Sequence, residues 1–163
     1  MAEQGPLAIG ATLKVTGPIT VSDQDVRRFC ELLGETNPLF LEEEAARRGP
    51  YGELVAPPSF AVTFRDVGHF ADELFRLGKL GFDAGKDIEF VRPIRPGDQI
   101  TATSRVARIY EKTGRSGPMV FVVVRSTLTN QRGEIVAHVD HRFTALAEFP
   151  AEEIAPGSGR DRQ

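Results

Sequence analysis

Apolar residues recur with two different periods along the chain, helical in the first half and strand-like in the second. Val26, Phe29, Cys30 and Leu33 fall at i, i+3, i+4 and i+7, the stripe of a core-facing helix. Ser22 and Asp25 stand where a capping box would start that helix, and Gly34 suits the position just past its end. A short second helix is expected over Leu41–Arg48, closed by Gly49-Pro50. Pro57-Pro58 then punctuates the start of a longer helix with Ser59 as its cap. Its stripe is Phe60, Phe64, Val67, Ala71 and Leu74, and at Gly68, costing roughly 1 kcal/mol against Ala, a break or kink is expected.

From Ile88 the period shortens to two. Thr12–Val21 can supply a first strand, Ile88–Val91 a short one, and Pro96-Gly97-Asp98 a turn. Three longer strands follow at Gln99–Glu111, Met119–Thr129 and Glu134–Leu146. Lys112–Pro118 and Asn130-Gln131-Arg132-Gly133 join them as hairpin connections, the second with Gly133 available for a left-handed residue. In the last strand Ile135, Ala137, Val139, His141 and Phe143 share one face, and His138, Asp140, Arg142 and Thr144 the other. One long apolar helix before a run of antiparallel hairpins predicts an α+β fold, one sheet wrapped around one helix. Such a sheet leaves an edge that favours pairing with a second subunit. One domain over residues 1–149 and a flexible tail over 150–163 are expected, with no internal repeat.

Composition narrows the classes. The 163 residues are 40% hydrophobic and 26% charged, ordinary for one globular domain. A net charge of −3 argues against non-specific binding to nucleic acid or an anionic membrane. Met1–Gly10 lacks a basic segment followed by an apolar one, and the longest apolar run, Met119–Val124, is too short to span a bilayer. A soluble, cytoplasmic protein is expected. Cys30 is the single cysteine and sits in the helical stripe, so it reads as a small core residue. His138 and His141 lie three apart on a strand and point to opposite faces, so no metal site and no cofactor are expected.

The stretch Gly34-Glu35-Thr36-Asn37-Pro38-Leu39-Phe40, with Glu42-Glu43-Glu44-Ala45-Ala46 and then Val55-Ala56-Pro57-Pro58-Ser59-Phe60, resembles the catalytic loop and helix entry of the MaoC-like (R)-specific enoyl-CoA hydratases and dehydratases. Asp87–Asp98 is similar to that family's strand and Gly-Asp turn, and Tyr110–Phe121 to its N-terminal, FAS1-like dehydratase branch. The resemblance covers roughly residues 12–146 and implies a hot-dog fold, an antiparallel sheet around a long central helix. It also implies an acyl-CoA or acyl-carrier thioester as ligand, with Val55, Ala56, Ser59 and Phe60 lining its binding side.

Hydrating an enoyl thioester needs an activated water, a proton for the α-carbon and donors for the developing enolate oxygen. In the family, an Asp and a His of the loop hold the water, and a backbone N–H at the helix start binds the thioester oxygen. Here Glu35 replaces the Asp, lengthening the carboxylate arm by one methylene, and Asn37 is retained. Phe40 replaces the His and transfers no proton, and Pro58 stands at the family's Gly with no N–H to offer. With activator and oxyanion donor both absent, the resemblance implies a partner subunit, completed by a second hot-dog chain with intact Asp and His.

Other readings stay open. Asn37-Pro38 is also a common turn initiator, Glu42–Glu44 a solvated helix face, and His141 a hydrogen-bonded core residue. A self-sufficient homodimer would rely on Glu35, alone or with His69. Asp66-Val67-Gly68-His69 echoes a stretch of hot-dog acyl-CoA thioesterases, and a stand-alone acyl-CoA-binding module is a third class.

Overall fold

The computed structural model describes residues 8–64, 81–115 and 117–146. Five strands form one antiparallel sheet: β1 Thr12–Thr20, β2 Gly81–Phe90, β3 Gln99–Gly114, β4 Gly117–Thr129 and β5 Ile135–Leu146, in the order β1-β3-β4-β5-β2. The three long hairpin strands lie where period-two alternation put them, but β3 and β4 run further than expected: Lys112, Thr113 and Gly114 pair with Met119, Pro118 and Gly117, so most of the expected Lys112–Pro118 connection is strand. β3 alternates through buried Ile100, Ala102, Ser104 and Val106 until a register shift between Val106 and Arg108. In β4 the β-branched run buries Val120, Val122, Val123 and Val124, so both faces are covered there.

β2 is longer than Ile88–Val91. Its first half, Gly81–Lys86, pairs with β5 across a register shift between Asp83 and Lys86. Gly85 has φ +102° there, and Asp83 Oδ1 accepts its N–H at 2.9 Å. A glycine-containing bulge of this kind reads as a turn in sequence.

One sheet face, carrying Ile100, Ala102, Leu128, Ala137 and Val139, packs against Val26 and Cys30 of the first helix and against Val55, Ala56, Phe60, Ala61 and Phe64. That helix, α1, runs Asp23–Leu33. Ser22 Oγ accepts the Asp25 N–H at 3.1 Å and the Asp25 carboxylate accepts the Ser22 N–H at 3.0 Å, the expected capping box. Gly34 is left-handed at φ 65°, with its N–H on Glu31 O and the Glu35 N–H on Cys30 O, a Schellman ending. Burial, followed by the nearby Glu35 charge, pushes the Cys30 thiol up from its ordinary pKa, in keeping with a packed core side chain. The second helix, α2, is Glu43–Arg48.

Pro58–Phe64 forms a 3-10 helix at the start of the predicted long helix, and Phe60 packs edge-on against Phe29 and Phe64. The rest of that predicted helix to Leu74, Asp66–His69 and the tail 150–163 lie outside the described residues.

Candidate active-site cavity

The loop after α1 is built by its own side chains. The Schellman ending fixes Glu35, whose Oε1 accepts the N–H groups of Thr36 at 2.9 Å and Asn37 at 2.8 Å. Asn37 Oδ1 accepts the Leu39 N–H at 3.0 Å and caps the 3-10 turn Pro38–Phe40. Arg27 Nη1 donates to Leu41 O at 2.8 Å and pins the end of the loop to α1. The carboxylate and the amide that the resemblance singles out therefore hold the loop's backbone, as an Asn-Pro turn requires. Asn37 is exposed, and Phe40 is turned inward with 9% of its surface accessible.

Phe40 and Pro58 meet in one cavity. About 250 Å³ of space is lined by Leu39, Phe40, Tyr51, Val55, Ala56, Pro57, Pro58, the run Phe90–Ile94, Val136 and Ala137. Backbone bonds assemble its walls from distant parts of the chain: Ala56 N–H to Ile94 O at 2.8 Å, and the N–H groups of Val91 and Arg92 to Val136 O at 3.0 Å. Of the residues nominated from sequence, Phe40, Val55, Ala56 and Pro58 line this space. Glu35, Asn37, Ser59 and Phe60 do not. Phe60 lines a second groove of about 320 Å³ with Ile19, Phe29, Leu32 and Phe64.

The cavity wall carries no carboxylate and no imidazole among the described residues; its single cation is Arg92. Sequence reasoning passed over Tyr51, Phe90, Val91 and Arg92. A signal was available, because consecutive residues of a strand face opposite ways and Phe90-Val91 cannot both enter the core. Both are half exposed, at 50% and 45%, beside the cavity.

A second polar group lies on the core-facing side of the sheet, away from this cavity. His141 is 5% exposed, and its Nε2 is 3.0 Å from Asp83 Oδ2. Asp83 also accepts from Lys86 Nζ at 2.5 Å, and that bond above all holds its carboxyl well below the usual range. The cavity touches β5 at Val136 and Ala137, and His141 is four residues further along, about 13 Å at strand rise. His141 is thus a core histidine with a carboxylate partner, outside the Phe40 cavity.

Residues 8–139 match the FAS1-like, dehydratase domain region. The chain belongs to this family. A UPF0336 protein of Streptomyces avermitilis is 31% identical over 153 residues, covering 89% of this chain and 95% of that protein. A probable enoyl-CoA hydratase alpha subunit of Thermomonospora curvata is 32% identical over 129 residues, 69% of this chain and 40% of that longer protein. Among solved structures, the ChsH1-ChsH2 complex of Mycobacterium tuberculosis superposes with a TM-score of 0.70 at 18% identity, covering 94% of this chain and 92% of that one. The (R)-hydratase from A. caviae involved in PHA biosynthesis gives 0.61 at 18% identity, over 90% and 100%. The fold is the hot-dog fold of MaoC-like hydratases and dehydratases. No helix among the described residues is long and apolar enough to cross a membrane.

Proposed function

We propose that this chain is a non-catalytic, channel-forming subunit of a heteromeric (R)-specific enoyl-CoA hydratase or 3-hydroxyacyl-thioester dehydratase. Its partner is a second hot-dog chain that carries the intact Asp and His. The observation that carries the reading is the make-up of the cavity: the two positions where the family's chemistry should stand are Phe40 and Pro58, and both face the same apolar space.

The Glu35 alternative is weakened by the loop geometry, since Oε1 already serves two backbone N–H groups. The cavity's size points to completion by a second subunit, whether a copy of this chain or a different one. Pockets that enclose a whole small-molecule ligand run about 300–1,000 Å³, and 250 Å³ holds only part of an acyl thioester. A site completed by another subunit fits that shortfall. The likeness to the ChsH1-ChsH2 complex supports pairing of two different chains, and the T. curvata relative is itself described as an alpha subunit.

Co-purification with a hot-dog chain bearing an intact Asp-x-Asn-Pro-Leu/Ile-His loop tests the reading. The pair should hydrate crotonyl-CoA or a longer enoyl-CoA, and this chain alone should not. Release of free CoA thiol by the chain alone would favour a thioesterase.

A further inference from the structure

The two edges of the sheet are not alike. β1 is broken by register shifts between Thr12 and Lys14 and between Thr16 and Ile19, and Pro18 within the second shift has no N–H to offer a neighbouring strand. β2, at the other edge, keeps an unbroken register with β5 from Lys86 to Phe90. Among the described residues no strand lies on its far side. That stretch leads into the half-exposed Phe90 and Val91 beside the Phe40 cavity, so a strand added to β2 comes to lie next to the space that needs completing.

The solvent face of β2 carries a carboxylate that its neighbours do not match. Arg125 on β4 holds Asp140 of β5 through two bonds, at 2.6 and 2.8 Å, and Arg142 of β5 holds Asp87 of β2. Both guanidiniums are thereby taken. Glu89, on the same face, is exposed and makes no ion pair among the described residues. His138, its ladder partner on β5, is bonded through Nδ1 to Thr127 Oγ1 at 3.1 Å.

Two copies of this chain joined along β2 about a two-fold axis normal to the sheet would keep their core faces on one side. In every register centred within Asp87–Glu89 a carboxylate then opposes a carboxylate. Either Asp87 faces Glu89 of the second copy, or one of the two faces itself, and like charges directly opposite across a ladder repel. We infer that Glu89, with Asp87 beside it, sets the choice of partner at this edge. A second copy is disfavoured, and the strand that fits presents Lys or Arg to Glu89. This selectivity rests on the channel-forming reading above and adds the feature by which the chain tells a different hot-dog subunit from itself.

Mixing wild type with Glu89→Lys, the two carrying different mass labels, tests it by native mass spectrometry and sedimentation at low ionic strength. Mixed dimers should form about three- to tenfold more tightly than wild-type dimers, because a like-charge contact becomes an opposite-charge one. Glu89→Gln should self-associate more than wild type, and added salt should strengthen wild-type self-association and narrow the difference. Matching melting curves check that each variant is folded. With a hot-dog partner chain, Glu89→Lys should loosen the pair by a similar factor and Glu89→Gln by less.

Mixed dimers no tighter than wild-type ones, including none of either, or a partner pair indifferent to Glu89→Lys, would overturn the inference and leave the channel-forming role standing. Hydration by the chain alone would remove that role, while a preference for mixed over wild-type dimers would still uphold the charge selection at β2.

Discussion

Replacing Phe40 by alanine separates a core side chain from a residue of a working active site. Phe40 is 9% exposed and packs in the cluster that includes Val55, Ala56, Val136 and Ala137. Truncating a buried phenylalanine costs about 3–5 kcal/mol, from lost transfer energy and the space left behind. Phe40 already borders a cavity, so the neighbouring side chains on that flank contribute fewer contacts, and the low end, about 3 kcal/mol, is expected. For a chain of this length each kcal/mol lowers Tm by roughly 2–4 °C, so Phe40→Ala should melt about 6–12 °C below wild type. Urea unfolding should show the midpoint falling with little change in slope. Phe40→Leu, which keeps most of the apolar volume, should lose far less. A cost under about 1 kcal/mol for Phe40→Ala would refute the packing account and reopen this position to a functional role.

Further outcomes follow from the loop and its helix. Glu35→Gln keeps the oxygen that accepts the Thr36 and Asn37 N–H groups, so stability and the activity of the assembled pair should change little; Glu35→Ala should cost about 1 kcal/mol in urea unfolding. Gly34→Ala places a Cβ at φ 65°, and the left-handed conformation should cost about 1–2 kcal/mol although nothing crowds the site. Ser22→Ala should cost about 1 kcal/mol through the lost cap. The Ser22 hydroxyl and then its backbone N–H hold the Asp25 carboxyl below its usual pKa. A depressed carboxylate stabilises the fold above its unfolded pKa of about 4 and loses that contribution as pH falls through the folded value. Stability of the wild type should therefore fall more than that of Ser22→Ala as pH drops below about 4, and parallel curves would contradict the capping account.

The sequence made the three long strands legible because alternation through Ile100, Ala102 and Ser104, or Ala137, Val139 and His141, survives in the burial of those residues. α1 was legible because its cap, stripe and glycine stop are local signals that agree. β2 was cut short because Gly81–Lys86 carries a bulge with Gly85 and Asp83, and local chemistry cannot tell a bulge from a turn. The cavity was only half legible for a different reason. Phe40, Val55 and Pro58 came from one stretch of chain, whereas Phe90–Ile94 and Val136-Ala137 join them through tertiary hydrogen bonds. Glu35 and Asn37 were readable as a loop motif, but their bonds to the following N–H groups follow from side-chain geometry that spacing does not encode.

The most direct test of the central claim is enoyl-CoA hydration by the purified chain, alone and with a hot-dog partner bearing the intact Asp and His. With Phe40 and Pro58 in the cavity, the chain alone should leave crotonyl-CoA and longer enoyl-CoAs at the uncatalysed rate, and the pair should turn them over. Hydration by the chain alone at ordinary enzyme rates, lost in Glu35→Gln, would contradict it.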